Sequence, residues 1–155
     1  MKMTKFMMQT LIASAVAVGM CGVASAQDFD QRGAFDSREG RTCRLRTLRG
    51  SYLFAASGFN IVGGVAQPKA IHEVIDFNGD GTLTVPAVTL SVNGVIIRPP
   101  ASVGDYTLDS NCRGMLVFSG GPSFDIVAAP DGEKIWMFQT NLNTVFQGTA
   151  TRFDR

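Results

Sequence analysis

From Asn78 to Asn143 the chain is cut into short pieces by clusters of turn-forming residues: Asn78-Gly79-Asp80-Gly81, Asn93-Gly94, Ser119-Gly120-Gly121-Pro122, Pro130-Asp131-Gly132 and Asn141-Leu142-Asn143. Asn, Asp and Gly tolerate the positive φ that a tight reversal requires, and Asn-Gly suits a two-residue hairpin. The pieces between the clusters are rich in Val, Ile, Phe, Thr and Tyr, and none keeps a helical period for three turns. The predicted strands are Gly50 to Phe59, Ala70 to Phe77, Thr82 to Val92, Val95 to Arg98, Gly104 to Leu108, Gly114 to Ser119, Ser123 to Ala129, Lys134 to Thr140 and Thr144 to Thr151. Strands joined by so few residues pair antiparallel with their chain neighbours. The expectation is an all-β fold, a meander of about eight strands that closes into a barrel and so removes its edges.

Side chains alternate between the faces of a strand. In Lys134 to Thr140, Ile135 and Met137 oppose Trp136 and Phe138; in Gly50 to Phe59, Tyr52 and Phe54 oppose Leu53 and Ala55. When both faces are apolar, one lines the interior and the other needs cover. The chain is too short to supply a second layer, so a homo-oligomer is expected.

The first residues read as a secretory signal. Lys2 and Lys5 precede an apolar run, Leu11 to Met20, that ends at Ala24-Ser25-Ala26. The predicted organisation is therefore a signal peptide over 1–26, a flexible basic leader over 27–47 and a β-barrel domain over 48–155. The run is too short for an integral membrane segment. A lipoprotein signal would place a small residue before Cys21, where Met20 stands. Export implies a periplasmic or secreted protein, and beyond residue 26 only Cys43 and Cys112 remain, which suggests one disulfide. Lys2 and Lys5 account for two of the 14 basic residues, which leaves 12 against 13 acidic ones and a formal charge of −1. That balance gives no reason to expect nucleic acid as a partner. Arg38, Arg41, Arg44, Arg46 and Arg49 form one local basic excess, read as a solvated leader.

A set of spaced residues points further. Cys43, Leu48-Arg49-Gly50-Ser51-Tyr52-Leu53-Phe54, Ile75-Asp76-Phe77-Asn78-Gly79-Asp80-Gly81, Gly104-Asp105-Tyr106, Cys112-Arg113-Gly114, Gln139-Thr140 and Gln147-Gly148-Thr149-Ala150 follow in order. The pattern resembles a group of small exported bacterial proteins with elements C…LxGxYxF, GxYxxxxxCxG and GxA, themselves similar to allene oxide cyclase-like and lipocalin-like barrels. The resemblance covers roughly 43–152 and implies a barrel with Cys43 paired to Cys112. Its elements are glycines, turn residues and aromatics, so no catalytic set comes with it.

Candidate chemistry is sparse. Asp76, Asn78 and Asp80 occupy the first, third and fifth positions of a calcium loop, but Ala87 stands where the bidentate glutamate belongs, and the same residues make a hairpin turn. In Ala70 to Phe77, Ile71, Glu73, Ile75 and Phe77 share the more apolar face, whereas His72 takes the other. Glu73 is thus either an interior carboxylate fit for acid or base work or a group in water at the barrel mouth or outer face. Asp125 is expected to point outward and Arg98 to sit on the rim. Tyr52 and Tyr106 either offer hydroxyls to a cavity or cover glycines on neighbouring strands. No G-x-S-x-G, phosphate loop, His-Glu-x-x-His or C-x-x-C occurs, and no cofactor is expected. The leading expectation is a binding module for a small apolar or amphipathic ligand, held by Phe54, Ile75, Phe118, Met137 and Phe138. The alternatives are an isomerase or cyclase of the kind the resemblance suggests, working through Glu73, and a structural or cell-surface protein with a packed interior.

Overall fold

A computed structural model describes residues 42–153. The expected signal peptide and most of the expected leader lie outside the described residues. A 3₁₀ turn, η1 (Leu45–Thr47), precedes nine strands: β1 (Arg49–Val62), β2 (Val65–Asn78), β3 (Thr82–Val92), β4 (Val95–Ile97), β5 (Ser102–Tyr106), β6 (Arg113–Phe118), β7 (Ser123–Ala128), β8 (Lys134–Gln139) and β9 (Thr144–Arg152). All pairings are antiparallel. β1, β2, β3, β5, β6, β7, β8 and β9 form a ring that closes between β9 and β1, while β4 folds back on the far half of β3. The fold is the closed antiparallel barrel of eight strands, with one extra strand.

β1 and β2 run longer than the sequence suggests. Gly63 and Gly64, both at positive φ, make a two-residue hairpin that extends the pairing to Val62↔Val65. Pro68 lies within β2 at no cost to the ladder. Its carbonyl accepts from the Asn93 N–H at 2.8 Å, so its ring nitrogen faces that same side, beyond the last β2–β3 pair at Lys69↔Val92. In β3, Val85 and Pro86 together oppose Ile75, a bulge that reverses which residues point inward. Leu83 and Val85 face the core before it, and Val88 packs against the core after it.

The two ends of the barrel differ. At one end lie the 78–81, 107–112 and 129–133 connections, and η1 covers them. The Tyr106 hydroxyl lies 2.9 Å and 3.0 Å from the Leu45 and Leu48 carbonyls, and the Tyr52 hydroxyl donates to the Gly132 carbonyl. Arg152 ties this end together, donating to the carbonyls of Thr47, Arg49 and Gly132 and to the Tyr52 hydroxyl. The Cys43–Cys112 disulfide, with Cα atoms 5.0 Å apart, fastens the start of the domain to the β5–β6 connection. Residues 43–47, assigned to the flexible leader from sequence, therefore belong to the folded plug. The reason is long-range: Leu45 packs on the core and Leu48 is fully buried.

Candidate functional site

The opposite end is open. There the β4–β5 and β6–β7 connections frame a cavity of about 340 Å³ that reaches down between Phe54, Phe118, Phe124 and Phe146. Phe124 stands edge-on to Phe54 and to Phe118, with ring centroids 5.8 Å and 6.0 Å apart. These packed rings floor the cavity, and Ile71, Val88 and Leu90 form part of its wall. The volume is at the low end of small-molecule sites, roughly 300–1,000 Å³.

Two charged side chains enter this apolar space, both from β2. Glu73 pairs in register with Phe54 and Val88 and is 6% exposed. Burial raises its carboxyl pKa to about 7, and the nearby Lys69 partly opposes that rise. Lys69 Nζ donates to Gln139 Oε1 at 3.1 Å and lies 4.3 Å from the centre of the Phe146 ring. Burial lowers the pKa of Lys69, and Glu73 works against that shift. Gln139, itself buried, is fixed from its other side because its amide donates to Asn141 Oδ1 at 3.1 Å. The site thus holds an ammonium with a set position and a carboxyl group facing aromatic rings.

The residues expected to grip a ligand fall in three places. Phe54 and Phe118 line the cavity. Ile75 and Met137 point inward but are packed in the core, at 0% and 2% exposure, and do not line it. Phe138 is corrected: it follows Met137 directly, so alternation turns it to the outer face, where it is 50% exposed. Phe124 and Phe146 were missed, although both alternate with outward residues, Phe124 sharing the parity of Ile126 and Ala128 and Phe146 that of Ala150. Lys69 was missed because the predicted strand starts at Ala70.

Of the other candidates, only Glu73 reaches the cavity. Glu73 lines the mouth cavity but is buried, which corrects the reading that places it in water. His72, Asp125 and Arg98 are exposed. Tyr52 and Tyr106 serve the closed end, and burial raises the pKa of both, Tyr52 to about 12. Asp76, Asn78 and Asp80 are also at that end, each engaged in a hydrogen bond. Asp76 accepts from the Ser51 hydroxyl at 2.6 Å, Asp80 accepts from the Thr82 N–H and hydroxyl, and Asn78 donates to the Thr82 hydroxyl. Among the described residues no group of three His, Cys, Asp or Glu side chains is placed to hold a metal ion. No described helix is long and apolar enough to cross a membrane.

No protein-family model and no curated protein matches the chain. Among solved structures, it is similar to a de novo designed fluorescence-activating β-barrel, at 11% identity and a TM-score of 0.44, over 70% of this chain and 96% of the other.

Proposed function

We propose that the protein is an exported binding module that takes a small apolar or amphipathic molecule into the open mouth of its barrel. One observation carries this reading: a cavity of about 340 Å³, floored by aromatic rings, sits at the end of the barrel that η1 does not cover. The disulfide supports an oxidising compartment, periplasmic or secreted. A neutral solvatochromic dye such as Nile red tests the binding reading. It is expected to bind the wild-type chain and to lose at least about tenfold in affinity for Ile71→Trp, which fills the cavity wall. Equal binding to both proteins, with circular dichroism unchanged, would place the dye elsewhere and overturn the proposal.

A second reading has its own observation. A carboxyl of pKa about 7 that faces a cavity is poised for proton transfer near neutral pH, which suits an isomerase or cyclase acting through Glu73. Deuterium exchange into a bound unsaturated ligand, present in wild type and absent in Glu73→Gln, is the outcome this reading expects. We also propose that another copy of the chain covers the outer apolar face, which carries Leu53, Val127, Trp136, Phe138 and Val145, each between 45% and 56% exposed.

A further inference from the structure

Resting on the binding reading above, we propose that the mouth cavity selects a molecule with an apolar body and a carboxylate head, the head seated between the Lys69 ammonium and the Glu73 carboxyl. The geometry supplies three parts of the argument. The first is that the charged side chains lining the cavity, Lys69 and Glu73, stand on the same inward face of β2, while Ser102 and Ser119 are neutral and the rest of the lining is apolar or glycine. The second is that Lys69 is held by Gln139 and by the Phe146 ring, and an ammonium has three donors, of which Gln139 takes one. The third is that no donor within hydrogen-bond reach of Glu73, and no ion pair within 4 Å between it and Lys69, is found among the described residues. A carboxyl so placed keeps its own O–H free to donate to a ligand.

Charge decides between head groups. The inward residues around Glu73 on the other strands of the ring are Phe54, Val88, Ser102, Phe118, Phe124 and Phe146, with Met137 and Gln139 inward on β8, none of them charged. With Glu73 protonated the cavity carries one positive charge, and an anionic head group neutralises it. Once Glu73 ionises, its own charge faces Lys69 and repels that head group. Binding of a carboxylate therefore requires the protonated form, and its affinity falls as pH rises past about 7. A cationic amphiphile would show the opposite trend.

Octanoate, octanol and octylamine share a chain and differ in the head, and neither ion changes charge between about pH 6 and about pH 8.5. Calorimetric titration of the purified full chain with each, at both values, tests the proposal. Octanoate is expected to bind more tightly than octanol at the lower pH and to weaken about 30-fold at the higher, where roughly 3% of Glu73 stays protonated. Octanol binding is expected to hold constant. Glu73→Gln should flatten the pH dependence of octanoate binding, and Lys69→Met should abolish the preference for octanoate over octanol, with circular dichroism reporting an intact barrel. If octanol binds but octanoate shows neither preference nor pH dependence, the head-group proposal fails and the binding reading stands. Octylamine that binds more tightly than octanoate at both pH values would reassign the site to cations. If none of the three binds, both readings fall.

Discussion

A carboxyl group withdrawn from water holds its proton to higher pH than the same group in the unfolded chain. For Glu73 the window runs from about 4.5 to about 7. Within it the folded state binds more protons than the unfolded state, so stability falls as pH rises, by about 3 kcal/mol over the window. Glu73→Gln removes this dependence: the variant is expected to match wild type near pH 5 and to exceed it near pH 8, read as the difference in urea midpoints. Equal slopes for the two proteins would show that Glu73 is solvated. The inward direction of Glu73 was legible in the sequence because Ile71, Ile75 and Phe77 share its parity. Its company was not. Lys69 lies on the same face two residues before Ile71, just outside the predicted start of the strand at Ala70. Phe138 shows the converse error, since hydrophobicity alone gave it the role of its inward neighbour Met137.

At the scale of the element, the turn clusters placed nearly every strand, because positive φ at Asn93-Gly94 or Gly79 is a local demand that residue type answers directly. What stayed hidden depends on contacts far along the chain. The bulge at Val85-Pro86 shows only through its pairing with β2, and η1 becomes a plug only because Tyr106 and the disulfide receive it. The β1–β9 junction belongs to this class. Gly58 and Gly148 let these strands approach so closely that a Cβ on Gly58 would run into the Val145 carbonyl, and one on Gly148 into the Ala55 carbonyl. Gly58→Ala is therefore expected to cost about 2 to 3 kcal/mol, since backbone must move. Gly94→Ala meets no neighbouring atom and is expected to cost about 1 kcal/mol, from its φ of +84° alone. Chemical denaturation of the two variants checks the order, and a larger loss at Gly94 would contradict it.

For the molecule as a whole, the outer face bears on association. Trp136 and Phe138 are half exposed and adjoin Val127 and Val145 on the same side of the sheet. Light scattering behind size exclusion is expected to give a multiple of the chain mass for wild type and a monomer for the Trp136→Lys, Phe138→Lys double variant. A monomeric wild type would overturn the expectation of self-association. The ring itself has a further consequence, in time. Every other seam of the barrel joins strands that a hairpin or short connection already holds together, whereas β1 meets β9 by pairing Tyr52 with Arg152, residues about 100 positions apart. The entropy of closing so long a loop must be met before that pairing returns anything. The seam is therefore expected to zip late on the way to the native state. Substitutions there, including any that disturb Arg152, are expected to hasten unfolding and leave the rate of folding nearly unchanged, read from the two arms of a denaturant chevron.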